Sequence, residues 1–424
     1  MADQDGDGPQ PYAAYLRAVI QKGLLAGELP IVTTNPNLLE EQAREKMPKA
    51  GFDYIIGGAG ESATMDANRL AFRQWKIVPR VLKPTSPRDL SVTIFGQKFG
   101  LVLCIRDWLT SKDVPVLMAP VGVNSLFHKD KEIGVAQACA ALHVPFTLST
   151  VSQTPIEEVA AAIPESPKWF QLYWPKDEEI TASLLKRAKD SGYTALVVTL
   201  DTWTLAWRPH DLDTANVPFL LGEGDANGFS DPVFRRKFAE MSDGGTPEDN
   251  LLQAALYWIG ETFPGVSHSW EDLKILKKHW DGPIILKGIL SVEDAELAVE
   301  HGMDGIIVSN HGGRQIDGAI ATLDVLPEIV DAVGSKLTVM MDSGIRTGAD
   351  VVKALALGAK AVFVGRPVIY GLGINGKEGA EAVLAGLLAD LDLTMGFAGA
   401  QSIADLKKSM LRKIQHSGDV KSNL

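Results

Sequence analysis

Eight short β-branched or apolar runs, separated by charged and alanine-rich helical patterns, constrain this chain more than any other feature. They are PVLMAP (115–120), PFTLST (145–150), WFQLYW (169–174), ALVVTLDT (195–202), PIILKG (283–288), GIIVSNHGG (305–313), TVMMDSG (338–344) and AVFVGRP (361–367). Runs that are apolar through the middle read as strands buried on both faces, and strands alternating with helices read as a parallel sheet. Eight such units predict an α/β chain folded as a (β/α)8 TIM barrel. Each run ends in small or polar residues, where a barrel of this kind carries its functional side chains.

The step from the fourth run to the fifth is about 88 residues, far more than one helix and two loops need. The excess, roughly 209–270, holds RPHDLDTANVPFLLGEGDANGFSDPVF and then a predicted helix over 248–261. A long loop insertion after strand 4 reads either as a lid or binding element or as decoration. An N-terminal helical extension precedes the barrel, with a helix over 37–48 and partly helical sequence over 51–72. Residues 376–415 read as two further helices, the second ending in the basic stretch KKSMLRK. The chain thus divides into a tail (1–36), one barrel unit (37–415) and a C-terminal tail (416–424).

A net charge of −12 without a basic run excludes a nucleic-acid binder, so an anionic ligand has to meet locally placed arginines. Cys104 and Cys139 form no C-x-x-C pair, zinc pattern or disulfide framework, which fits a reducing compartment and core packing. No metal-ligand spacing is present. MADQDGDGPQ has no apolar signal region, and no run reaches the length of a membrane span, so the expectation is a soluble, cytoplasmic protein with no membrane partner. Ser422, Asn423 and Leu424 only loosely approximate a peroxisomal S-K-L address.

The strongest chemical signal is VSNHGGRQIDG (308–318) at the end of the sixth run. It sets an imidazole, His311, suited to take a proton, beside Arg314, whose planar fork suits a carboxylate. The fourth run ends with Asp201, either the partner that fixes the imidazole tautomer or a helix cap, and Arg208 follows as a second guanidinium. Gln171 and Tyr173, two apart on one strand, share a face. Lys287 offers a cation where negative charge would develop. Glycines after strands seven and eight, with Arg346 and Arg366, match the phosphate site of this barrel class, and a phosphorylated cofactor follows. GGAGES (57–62) lacks the strand and helix context of a nicotinamide fingerprint.

These motifs resemble the FMN-dependent 2-hydroxy-acid oxidase and dehydrogenase family over about residues 40–415, in its order: FDY (52–54), FQLYW (170–174), TLDT (199–202), ILKG (285–288), SNHGGRQ, DSGIRTGADVVKALALGA (342–359) and GRP (365–367). The resemblance implies FMN as cofactor and a small L-2-hydroxy acid as substrate. By motif, Tyr54, Tyr173, Arg208 and Arg314 would contact the substrate, and His311 would be the base, with Asp201, Tyr173 and Lys287 completing the catalytic set. Pro120, Val121, Gly122, Ser149, Gln171, Thr199, Lys287, Ser309, Asp342, Ser343, Gly344, Arg346, Gly365 and Arg366 would hold the flavin. WRPHDLD, PFLLGEG, SDPVF and Ser343 most resemble the lactate 2-monooxygenase members, which turn lactate and O2 into acetate, CO2 and water. A departure at Glu61, Ser62 and Ala63 leaves open which substrate side chain is preferred. The resemblance also implies a homo-oligomer, a tetramer or octamer. The rival readings are an oxidase releasing the keto acid and H2O2, a dehydrogenase with another acceptor, a nicotinamide- or phosphosugar-using barrel, and a non-catalytic scaffold.

Overall fold

The computed structural model describes residues 12–95 and 114–414. One strand forms inside each run: β1 (Val116–Met118), β2 (Phe146–Ser149), β3 (Lys168–Tyr173), β4 (Leu196–Thr199), β5 (Ile284–Ile289), β6 (Gly305–Val308), β7 (Thr338–Met341) and β8 (Val362–Val364). Neighbours pair in parallel in the order β1-β8-β7-β6-β5-β4-β3-β2. Across the remaining seam Met118 N–H donates to the Pro145 carbonyl at 2.9 Å, so the sheet curls into a nearly closed (β/α)8 barrel.

Alternation along the strands decides what meets the barrel axis. Leu117, Trp169, Val197, Ile285, Ile307, Met340 and Phe363 form one apolar cluster inside the barrel. Their chain neighbours Phe170, Leu196, Val198, Leu286, Ile306, Val308, Val339 and Val362 belong instead to the larger cluster under the helices. Two residues beyond the interior set, on the same face, come Ala119, Gln171, Thr199, Lys287, Ser309, Asp342 and Gly365. The strand period therefore lays a polar layer over an apolar plug, at the end where the sequence concentrates its chemistry.

Two helices begin directly after the last two strands. Thr347 and Asp350 form a capping box at the start of the helix Gly348–Ala356. The long helix Arg366–Ala398 has Pro367 in its first turn and breaks at Asn375 and Gly376, whose dihedrals are non-helical. Both start beside the barrel mouth, where the positive end of a helix dipole lies. Earlier, the Ser291 hydroxyl accepts from Asp294 N–H and starts the helix Val292–Glu300, and Gly302 follows its end at φ 61°.

The insertion is built of short helices, among them Pro209–Asp213, Ala226–Phe229, Pro232–Met241 and Leu251–Thr262. It has its own core, in which Phe234 stacks on Tyr257 at 5.0 Å and meets the Trp258 edge at 5.5 Å. The N-terminal extension supplies Leu39–Lys46, Lys49–Ile56 and Ala63–Gln74.

Two expectations need correction. The basic stretch at 407–413 is not the end of a second helix: Gly399, in the left-handed region at φ 82°, terminates the long helix, and Leu411–Lys413 forms a strand antiparallel to Trp75–Ile77. Leu411 is buried while Arg412 and Lys413 are exposed, so one apolar residue anchors an edge ribbon. Part of the region read as a tail is helical, Ala14–Ala26, and it rests on the long helix, with Ala13 N–H donating to Asp392 at 2.8 Å. Cys139 is buried in the core, and burial pushes its thiol well above the usual range. Cys104, MADQDGDGPQ and Ser422 to Leu424 lie outside the described residues. Among the described residues no helix is long and apolar enough to cross a membrane.

Candidate active site

A cavity opens at the C-terminal mouth of the barrel, and its wall gathers residues far apart in sequence: Tyr54, Tyr173, Arg208, Lys287, His311, Arg314, Arg346 and Arg366. His311 is part of that wall. Its Nδ1 lies 2.9 Å from Asp201 Oδ1 and 2.9 Å from the Thr202 hydroxyl, and its Nε2 lies 3.5 Å from the Tyr173 hydroxyl. Burial, reinforced by the Lys287 charge and resisted by Asp201, lowers the imidazole pKa to about 4. Burial alone would raise Asp201, yet Lys287 and His311 outweigh it and hold the carboxyl at about 2. The pair at neutral pH is therefore a carboxylate beside a neutral imidazole. An Nδ1–H directed at Asp201 leaves the Nε2 lone pair facing the cavity, which is the protonation state of a base.

The two arginines differ in their anchoring. Arg208 Nε donates to the Arg314 carbonyl at 3.0 Å and Nη2 to the Gln315 side chain at 2.6 Å. Arg314 Nη1 donates to the carbonyls of Tyr54 and Gly57 at 2.7 and 2.6 Å, and its guanidinium lies 4.9 Å from the Tyr54 ring centroid. Burial and the proximity of Arg314 lower Arg208 to about 10, so its guanidinium stays charged at neutral pH. Nη2 of Arg314 has no hydrogen bond among the described residues, and Nη1 of Arg208 approaches only Asp211, at 3.8 Å. Two buried cations with donors to spare favour an anion between them.

A second cationic region lies beside the helix starts. Arg366 donates to the carbonyls of Ile55, Gly312 and Gly57 at 2.8, 2.8 and 3.2 Å, and Arg346 to that of Ile345 at 2.9 Å. Neither forms an ion pair among the described residues. Burial lowers Arg366 to about 9 and depresses Arg346 as well. Desolvated guanidiniums served by carbonyls, next to two helix N-termini, fit a phosphate. Gly344, Gly365 and Gly312 line the same wall, and a methyl group at Gly312 would come within 2.8 Å of Arg366. Lys287 Nζ lies 3.6 Å from Asp342, and Pro120, Val121 and Gly122 form the facing edge. These donors and this cradle fit FMN: Arg346 and Arg366 would hold its phosphate, and Lys287 would offset negative charge on its ring system.

Not every expected residue reaches the cavity wall. Ser149 is in register with Gln171 and Thr199 with Lys287, but Ser149, Gln171 and Thr199 do not line the cavity. They are linked to one another: Ser149 Oγ donates to Gln171 Oε1 at 3.0 Å, and Gln171 Nε2 donates to Thr199 Oγ1 at 2.9 Å. Ser309 is fully buried and accepts from His311 N–H at 3.1 Å. Ser343 stands at φ 73°, accepts from Gly312 N–H at 3.0 Å and donates to Asp342 at 2.7 Å, so it ties the end of β7 to the loop after β6.

Several residues escaped the sequence reading. Thr202 adjoins Asp201 and shares the imidazole, a position visible from the strand end. Gln315 holds Arg208 and donates to the Asp201 carbonyl at 2.8 Å. Asn68 and Asn310 exchange two hydrogen bonds, at 2.9 and 2.7 Å, and brace the turn that carries His311. Phe219 and Phe263 reach the cavity from the insertion, 5.6 Å apart. Nothing in their sequence context distinguishes them from core aromatics.

Known proteins are similar to this chain over most of its length. The FMN-dependent dehydrogenase family model matches residues 43–413. A Penicillium citrinum protein named FMN-dependent alpha-hydroxy acid dehydrogenase qulF is 54% identical over 416 residues, covering 98% of this chain and 100% of that one. An L-lactate oxidase of Lysinibacillus sphaericus is 41% identical over 378 residues, covering 88% and 92%. A crystal structure of mandelate oxidase superposes with a TM-score of 0.73 at 35% identity, covering 90% of this chain and 98% of that one.

Proposed function

The chain belongs to the FMN-dependent dehydrogenase family and oxidises a 2-hydroxy acid with FMN as cofactor, and we propose that its substrate is L-lactate and its overall reaction a 2-monooxygenation to acetate, CO2 and water. Bound in the cavity, FMN supplies a two-electron acceptor. The protein's own residues do the rest. Arg208 and Arg314 grip the substrate carboxylate and orient the 2-hydroxyl toward His311. His311 Nε2 takes the hydroxyl proton, and the ionised Asp201 stabilises the imidazolium that results. Tyr173, its phenol raised by burial and therefore un-ionised, donates a hydrogen bond to the substrate oxygen. Lys287 neutralises negative charge accumulating beside it.

The observation that carries this reading is the convergence of His311 and two under-satisfied arginines on one cavity, with Asp201 bonded to the imidazole Nδ1 from outside the cavity wall. For the monooxygenase outcome, the support is that Phe219 and Phe263 of the insertion line that same cavity and so can retain the keto acid. Retained pyruvate and H2O2 give acetate, CO2 and water with atoms balanced. The names of the relatives favour a second reading, in which the keto acid leaves first and O2 gives H2O2, or another acceptor takes the electrons. Product analysis with L-lactate under air separates them: acetate is expected, and pyruvate with stoichiometric peroxide eliminates monooxygenation. Assembly as a homo-oligomer, four or eight copies, belongs to the same proposal and is read by light scattering.

His311→Gln is expected to bind FMN with its yellow colour intact and to lose about 10²- to 10⁴-fold in anaerobic flavin reduction by the hydroxy acid. An unchanged reduction rate would remove His311 from the role of base.

A further inference from the structure

The insertion presents Phe219 and Phe263 to the cavity, but what fixes its position is elsewhere. Asn227, in the short helix Ala226–Phe229, is fully buried and hydrogen-bonded at every polar side-chain atom. Its Nδ2 donates to the carbonyls of Ser149 and Thr150 at 3.2 and 3.0 Å, and its Oδ1 accepts from Ile156 N–H at 3.0 Å. One amide from the insertion thus grips the last residue of β2 and the residue after it.

Those two residues are also held from the other side. Ser149 Oγ and Thr150 N–H both donate to Gln171 Oε1, and the Thr150 hydroxyl donates to the Gln171 carbonyl at 2.6 Å and accepts from Tyr173 N–H at 2.9 Å. Val151, the next residue, lines the cavity, and its carbonyl accepts from Val123 N–H at 2.9 Å. A methyl group at Gly122 would lie 2.6 Å from that carbonyl, so the β1 loop has no slack against it. The Ser149 to Val151 turn therefore joins the insertion, the linked Gln171 and Thr199 side chains and the cavity wall.

We propose that Asn227 is a positioning residue, which registers the insertion against the Ser149 to Val151 turn at the flavin and hydroxy-acid cavity and so governs substrate affinity and cofactor affinity without touching either molecule. The inference rests on the assignment of that cavity to FMN and a 2-hydroxy acid. A buried amide whose bonds are all to backbone cannot be replaced by an apolar group without leaving carbonyls unpaired, so the turn has to move when it is lost.

Arg187 supplies the control. It clamps the outer side of the same helix, donating to the Asn227 carbonyl at 2.8 Å and pairing with Asp231 at 3.3 Å, and it does not touch the Ser149 to Val151 turn. Three quantities are measured on the full chain: melting temperature, FMN dissociation constant on reconstituting apoprotein, and the split between KM for L-lactate and the limiting rate of anaerobic flavin reduction. Asn227→Ala is expected to raise both the FMN dissociation constant and KM by about tenfold while the limiting rate stays within about threefold. Arg187→Met is expected to lower the melting temperature at least as much with both affinities within about twofold of the unaltered protein, since its loss loosens the helix away from the turn.

Unchanged FMN and substrate affinities in Asn227→Ala overturn the proposal, as does an Arg187→Met variant that reproduces both losses. Should Asn227→Ala fail to fold, Asn227→Ser retains one donor, and affinities falling between those expected for Asn227→Ala and the unaltered protein support the role, whereas unaltered ones refute it. If the unaltered protein binds FMN but no 2-hydroxy acid bleaches it, the substrate reading fails, and the FMN measurement still decides the role of Asn227.

Discussion

His311 occupies a backbone conformation that L residues rarely adopt, φ 56°, and Gly312 and Gly313 continue it at 64° and 75°. Such strain persists only where the surroundings enforce it, here the Asn68 and Asn310 pair and the Ser309 hydroxyl. The sequence made the place of His311 at the end of the sixth run legible, but not this turn. Nor was the seat of Asp201 legible, because it depends on a residue in another strand. Gly288 stands at φ 106° where the β5 ladder shifts register, and a Cβ there would lie 2.9 Å from both Cβ and Cγ of Asp201. Gly288→Ala is expected to displace the carboxylate from Nδ1 of His311 and to slow anaerobic flavin reduction by about 10²-fold, with FMN still bound. Stopped-flow absorbance of the flavin checks it, and an unaltered rate would mean that the carboxylate's placement is not needed.

At the scale of elements, strands and their polar ends were legible because period-two alternation and βα spacing are local patterns. The C-terminal ribbon was not. Leu411–Lys413 is three residues long, and its partner, Trp75–Ile77, lies more than three hundred residues away, so only tertiary structure selects strand over helix. The helices of the insertion also escaped in part, since their short amphipathic faces close on one another.

Within that insertion Asp225 is fully buried, neither carboxyl oxygen has a hydrogen-bond partner among the described residues, and burial, with Glu223 nearby, raises it to about 8. Unfolded, it ionises near 3.8. Below that value folded and unfolded chains both hold the proton, and the site contributes fully. As pH rises toward 8 the unfolded chain releases the proton and the folded one keeps it, so stability drains away. Asp225→Asn cannot ionise. The melting temperature of the variant minus that of the unaltered protein is expected to become more positive from pH 4 to pH 8 and then level off, by an amount equivalent to about a few kcal/mol. Thermal melts across that range decide it, and a pH-independent difference would show that Asp225 titrates normally.

The molecule as a whole is a barrel with unequal seams. β4 pairs with each neighbour over four register positions, whereas β7 and β8 share one, and β1 and β2 meet through the Met118 bond. The two weak seams flank the β1–β8 pair, whose ends carry Pro120, Val121, Gly122, Gly365 and Arg366, so the pair that the sheet ties least to the rest of the barrel is the one that the proposed cofactor cradle spans. Sequence could locate the strands but not this inequality, which arises from register. A ligand that binds only the closed barrel stabilises it by mass action, and most where it bridges the weak seams. In FMN-free protein, native-state hydrogen exchange is expected to be faster in Val116–Met118 and Val362–Val364 than in Leu196–Thr199. Loading FMN at 100 times its dissociation constant is expected to add about 2.7 kcal/mol to the global opening free energy, with the largest gain in protection in the former two segments. Equal gains across all strands would mean that the cofactor does not bridge the seams and that closure of the barrel is independent of it.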